Sequence, residues 1–198
     1  QLLERDFETA VCLGLAESGW LYEDEGSSAG WDPELALHPA DALYWLATQY
    51  PDEYAKAVDP ALTGGGKLAA ERKLLEFLSA AIGRKVKVNP TDGAVTAGLL
   101  KVLRTGFKYT QTSGRTSTFG GMVAFRPASA HLVKQTERAE ANRLRVIRQV
   151  RFDTTSTETI DLVLLVNGVP VATLELKTDN VQSIEDAKKQ YVQDRKPA

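Results

Sequence analysis

The sequence predicts an α/β fold, and three observations carry that reading. Apolar residues recur at helical spacing in the first half, and apolar strand-like runs take over after residue 120. A hairpin signal, Asn167-Gly168, joins two of those runs. Hydrophobic residues make up 43% of the 198-residue chain and charged residues 25%, which is enough apolar side chain for one large folded core.

In order along the chain, Leu3, Phe7, Val11 and Leu15 mark a first helix that Gly19 ends. Glu23 to Gly30 reads as a polar loop. Asp41 opens a second helical stretch and Pro51 a short third. Thr63-Gly-Gly-Gly is a break, and Lys67 to Ile82 is an amphipathic helix with Leu68, Leu74, Leu75 and Leu78 on its apolar side. Val95 to Leu103 predicts another helix and Thr110 to Thr118 a Ser/Thr/Gly-rich loop. Met122 to Phe125 is a strand candidate, and Glu137 to Leu144 predicts a helix. Val146 to Phe152, Ile160 to Val166 and Val171 to Leu176 predict strands. Ser183 to Tyr191 closes with a helix that Ser183 and Asp186 cap. The division expected is a core of residues 1–20 and 120–198 with a helical insertion over 21–118.

Net charge is −2, but it hides an asymmetry. Residues 1–62 hold 2 basic and 13 acidic side chains, residues 63–151 hold 17 and 5, and residues 152–198 hold 5 and 8. The basic middle suits a phosphate surface slightly better than the alternative, a solvated face plus internal ion pairing between the halves. The single cysteine, Cys12, excludes an internal disulfide and suits a reducing cytoplasm; no run is apolar enough for a membrane span. The first residue is Gln1 and the last Ala198, and both ends read as cut from a longer chain.

The chemistry-bearing pattern is Asp161 within one apolar strand and Glu175-Leu-Lys177 within the next. Charges inside apolar strands need partners. Strand alternation puts Glu175 and Lys177 on one face. A plain two-residue turn at Asn167-Gly168 would pair Val166 with Val169 and Asp161 with Leu174, leaving Asp161 and Glu175 on opposite faces. An odd loop, or a bulge at Gly168, would bring all three together. Two close carboxylates are hard oxygen ligands for Mg²⁺, with the Leu176 carbonyl as an additional ligand. Such an ion polarises a phosphodiester and acidifies a bound water, while Lys177 orients that water and stabilises developing charge. A structural ion pair of Lys177 with Glu175 or Asp161 is the competing reading.

These residues resemble a known family. Asn142-Arg-Leu-Arg-Val-Ile-Arg-Gln-Val-Arg-Phe152, Asp161-Leu-Val-Leu-Leu-Val-Asn-Gly-Val-Pro170, Ala172-Thr-Leu-Glu-Leu-Lys177 and Asp186-Ala-Lys-Lys-Gln-Tyr-Val-Gln-Asp-Arg-Lys-Pro197 are similar to the N-terminal nuclease region of the motor (R) subunit of type I restriction enzymes. The resemblance is specific over residues 140–197, looser over 1–20 and weak between. It implies a PD-(D/E)xK nuclease core, a central mixed β-sheet flanked by helices. It implies Mg²⁺-dependent cleavage of double-stranded DNA with no sequence readout by this region, alongside methylation and specificity subunits in the cytoplasm. ATP would serve the full-length protein; no ATPase motif lies in these residues.

By match, Asp161 and Glu175 would be metal ligands, Lys177 the catalytic lysine, and Glu8 the glutamate of the first helix, with Glu4 a competitor. Many members carry Gln-x-x-x-Tyr after this site; here Gln190 and Tyr191 are adjacent, so both are carried over as candidates in catalysis or DNA contact. Arg143 and Arg145, on one strand face, and Lys108 and Arg115, around the polar loop, are further nucleic-acid candidates or else solvated charges. Two rivals stand beside this reading. One is another nuclease of the same fold, and the other a non-catalytic DNA-binding or assembly module.

Overall fold

The computed structural model describes residues 2–23, 28–129, 131–151 and 158–176, with side chains from Arg5 onward. Its helices are α1 (Leu2–Glu17), α2 (Pro39–Gln49), α3 (Pro51–Ala57), α4 (Gly64–Ile82), α5 (Leu99–Thr105) and α6 (Val133–Glu140). Its strands are β1 (Lys87–Val88), β2 (Val95–Ala97), β3 (Phe107–Thr110), β4 (Thr116–Phe119), β5 (Leu144–Arg151), β6 (Thr159–Val166) and β7 (Val169–Leu174).

The strands form two small hairpins, β1-β2 and β3-β4, and a three-stranded antiparallel sheet in the order β5-β6-β7. A single parallel bridge, Leu21 to Arg145, lies along the outer side of β5. The mixed α/β class therefore holds. Among the described residues, the expected central mixed sheet is an antiparallel one carrying that bridge.

Several local expectations change. The Gly64-Gly-Gly66 run is the first turn of α4 rather than a break, with Thr63 as its N-cap residue. Val95 to Leu103 divides at Gly98, which takes φ 83° and separates β2 from α5. The loop expected over 110–118 is mostly hairpin. Its burial alternates, with Phe107, Tyr109, Ser117 and Phe119 inward and Lys108, Thr110, Thr116 and Thr118 outward, a pattern that β-branched threonine suits. Residues 122–125 form no strand, although Met122 is fully buried. The helix expected over 137–144 lies earlier, at α6. The insertion thus contains four short strands as well as helices. The closing helix expected at 183–191 lies outside the described residues.

The largest core cluster gathers Trp45, Leu46, Leu74, Leu78, Val102, Phe107, Phe119 and Met122 from the insertion side, together with Val169 at the start of β7. A second cluster joins α1 to the sheet through Cys12, Val146, Leu162 and Leu176, with Val11, Leu15 and Trp20 packed against it. Phe7, expected on the packed face of the first helix, is exposed, and Glu8 is buried in its place. A third cluster, Ile147, Val150, Val163 and Leu165, receives Trp31. Trp45 is fully buried, and Trp20 and Trp31 are partly buried against the second and third clusters.

The Asn167-Gly168 turn joins the insertion to the sheet. Both residues take positive φ, 49° and 78°, as a two-residue hairpin turn requires. The Asn167 amide nitrogen donates to the Met122 carbonyl at 2.8 Å and to Asn142 Oδ1 at 2.9 Å, while its oxygen accepts from the Arg143 N–H at 2.7 Å. Gly168 accepts from the His38 N–H at 2.9 Å and lies against the start of α2. A Cβ there would sit 2.6 Å from the Ala42 nitrogen.

Candidate functional site

The register of β6 and β7 is set in two stages. Next to the turn, Val166 pairs with Val169 and Leu165 with Pro170, as a plain two-residue hairpin dictates. Beyond it, Leu164 pairs with Ala172, Val163 with Thr173 and Leu162 with Leu174. Val171 is the extra residue, a β-bulge beside a proline that has no N–H for the ladder. Continued by one residue, this shifted register sets Glu175 opposite Asp161. The expectation of something other than a plain turn is corrected in place: the turn itself is plain, and the bulge is at Val171, not Gly168. Where β7 ends, the Leu176 N–H donates to Asp161 Oδ2 at 2.7 Å.

On its other side, Asp161 lies between the pairs Arg148–Leu162 and Val150–Ile160, so Gln149 faces it across β5 and β6. Gln149 is strained, with φ 53°. Alternation breaks at this level in both strands. Leu162 packs in the cluster under α1, while Ile160, two residues away, packs with the third cluster. Arg148 donates to Thr9 Oγ1 on α1 at 2.9 Å, while Val150 belongs to the third cluster.

The Gln149 amide is held at both ends. Its nitrogen donates to Glu8 Oε1 at 2.8 Å and its oxygen accepts from Thr159 Oγ1 at 2.7 Å. Glu8 is 5% exposed. By register, Gln149, Asp161 and Glu175 form a row across the sheet, with the Gln149 amide bonded to Glu8 on α1 and Asp161 bonded to the Leu176 N–H. Gln149 was not singled out from sequence; its only signal was an amide inside an otherwise apolar and basic strand. Glu4 lies outside the described side chains. Lys177, Gln190 and Tyr191 lie outside the described residues, and sequence alone places Lys177 two positions after Glu175.

Arg145 of β5 and Arg143 just before it occupy a second cluster. Arg145 is 6% exposed and grips Asp41, its Nε donating to Oδ2 at 2.6 Å and its Nη2 to Oδ1 at 3.2 Å. Its Nη1 donates to Glu23 Oε1 at 3.0 Å. Arg143 donates to Asp41 Oδ1 at 2.8 Å and lies over the Tyr44 ring. These guanidiniums are engaged by carboxylates of this chain, the ion pairing between the halves that the charge asymmetry offered. The Asp41 backbone N–H in turn donates to Nδ1 of the N-cap residue His38 at 3.3 Å. Burial lowers the His38 pKa, and the Asp41 charge offsets only part of that effect. Burial alone would raise the Asp41 pKa, but hydrogen bonds from Arg145 and Arg143 and the neighbouring positive charge bring it below the ordinary carboxylate value. Sequence reading took Asp41 only as a helix start. Lys108 and Arg115 are both exposed, on β3 and in the turn after it.

The described residues contain no group of three His, Cys, Asp or Glu side chains placed to hold a metal. Asp161, Glu175 and the Leu176 carbonyl make a smaller set of hard oxygens. That set suits Mg²⁺, which retains several waters, better than it suits an ion needing a full protein cage.

The model of one protein family, the type I restriction enzyme R protein N-terminus, matches residues 48–198. The chain belongs to that family. The match takes in Asp161, Glu175, Lys177, Gln190 and Tyr191, whereas Glu8 and Asp41 precede it. No curated protein and no solved structure matches. For this R-protein region, no described helix is long and apolar enough to cross a membrane.

Proposed function

We propose that this R-protein region is the Mg²⁺-dependent endonuclease of a type I restriction enzyme. It hydrolyses DNA phosphodiesters without sequence readout of its own and belongs to the PD-(D/E)xK nucleases. The observation that carries the reading is the Val171 bulge, which sets Glu175 opposite Asp161 while the Leu176 N–H fixes Asp161 Oδ2.

Asp161 and Glu175 bind the ion, with the Leu176 carbonyl as a further ligand. Bound there, Mg²⁺ supplies Lewis-acid polarisation of the phosphodiester and a more acidic water. Lys177, two positions after Glu175 in the sequence, would orient the attacking water. Gln149 positions the row by holding the Glu8 carboxylate beside it. ATP-driven delivery of double-stranded DNA, and the methylation and specificity subunits, belong to the whole restriction complex.

The test is plasmid nicking by the full restriction complex with ATP and Mg²⁺, comparing wild type with Asp161→Ala and Lys177→Ala and following ATP hydrolysis in parallel. Loss of cleavage with ATPase retained is expected. Wild-type cleavage by either variant would leave a non-catalytic DNA-binding or assembly module.

A further inference from the structure

The +12 charge of residues 63–151 is divided by the tertiary structure into neutralised and unneutralised parts. Arg72 pairs with Asp32, Glu34 and Glu76, Arg126 with Glu140, and Arg143 and Arg145 with Asp41. Residues 82–120 differ. They carry seven cations, Arg84, Lys85, Lys87, Lys101, Arg104, Lys108 and Arg115, against one carboxylate, Asp92. Among the described residues, none of the seven makes an ion pair.

Three of them line one cleft of about 260 Å³ between the end of α4, the β2–α5 segment and β3. Arg84, Lys101 and Lys108 contribute the charge, and Phe77 and Phe107 form apolar walls. The Lys101 ammonium donates to the Gly106 carbonyl, which fixes it on the cleft wall. Beside Lys108, the outer face of the β3–β4 hairpin presents Thr110, Thr116 and Thr118, with Lys108 paired to Thr118 and Thr110 to Thr116. Ammonium, guanidinium and hydroxyl groups on one exposed surface are the donors that contact a phosphate backbone.

We infer that this cleft and the adjoining hairpin face bind the phosphate backbone of duplex DNA, at a surface distinct from the Asp161 row. Three cations without an ion pair on one cleft, Arg84, Lys101 and Lys108, exceed what a single phosphate needs, so a polyanion fits better. Successive bases of a single strand would need several exposed rings, and of the two rings lining the cleft only Phe77 is exposed. Phe107 is buried, and the Phe77 ring is set edge-to-face against Tyr109 at 5.3 Å. Backbone contact to a duplex needs no such rings. The inference does not depend on the cleavage chemistry.

The test uses the full R chain without ATP or metal, and a fluorescent duplex lacking any recognition sequence, with affinity measured across a salt series. Replacing Arg84 and Lys108 by glutamine should flatten the slope of log affinity against log salt by about 2, roughly one for each lost cation. Arg84→Lys with Lys108→Arg should restore the wild-type slope, which separates charge from damage to the fold. Lys73→Gln with Lys134→Gln, two exposed lysines on α4 and α6 outside the cleft lining, should leave the slope unchanged. An unchanged slope in the cleft variant, an equal fall in the lysine control, or a larger loss for single-stranded than for duplex DNA each overturns the inference. Failure of the nuclease reading is read separately, as wild-type cleavage by Asp161→Ala in the full complex, so the two readings fail by different results.

Discussion

Arg145 and Asp41 are 104 positions apart in sequence and form a two-point ion pair between β5 and the first turn of α2, with both side chains buried. Arg143, just before β5, joins the same carboxylate, so one aspartate ties two arginines at the start of the sheet to the insertion. A buried pair of this kind is costly to break, because the partner left behind keeps its charge without compensation. Asp41→Ala should destabilise the protein by about 3–5 kcal/mol, read by denaturant unfolding. Replacing Asp41 and Arg145 together by apolar residues should cost less than the sum of the single changes.

The same cluster predicts acid sensitivity. The folded-state pKa of His38 lies below the ordinary 6.5, so the unfolded chain takes up a proton first as pH falls. Stability from neutral His38 is present above pH 6.5 and is lost as pH drops from there towards the lower folded value. Asp41, also depressed, adds a second loss as pH falls below its ordinary 3.8. His38→Asn keeps an N-cap acceptor and removes the titration. Unfolding free energy measured between neutral and mildly acidic pH should flatten in that variant while the deeper acid loss persists.

Gly168→Ala should be strongly destabilising, by more than about 2 kcal/mol, because it combines a positive φ with backbone atoms where the methyl would go. Asn167→Ala should cost at least as much, since it strands the buried Met122 carbonyl and the Arg143 N–H that Asn167 satisfies. Thermal unfolding checks both.

Gln149 separates positioning from packing. Gln149→Gly retains the left-handed backbone and removes the amide that holds Glu8. Cleavage by the full complex should fall about 10–100-fold, the usual loss for a residue supporting a metal site, and the Mg²⁺ needed for half-maximal cleavage should rise. A normal Mg²⁺ dependence would make Gln149 a purely structural residue. Glu8→Gln should show the same displacement if its charge acts on the site.

The sequence by itself determined the elements whose cause is local. Asn167-Gly168 specifies a hairpin turn because both positions need positive φ, and Asp161 and Glu175 are visible because charges interrupt apolar strands. Pro51 placed the start of α3, whereas α2 begins two residues before the expected Asp41, at Pro39. Propensity misjudged Gly64–Gly66 and the Thr-rich 110–118 stretch, where packing of Leu74 and Leu78, and of Phe107 and Phe119, overrides local preference.

Only the tertiary structure decided three matters. It placed the bulge at Val171 and so set which strand residue Asp161 faces. It matched Gln149 to Glu8 across α1 and β5. It also determined which arginines are neutralised by carboxylates more than a hundred residues away and which lysines stay exposed. The physical reason is common to all three: register, burial and ion pairing depend on groups brought together by the fold, and a single strand's sequence carries no record of its partner.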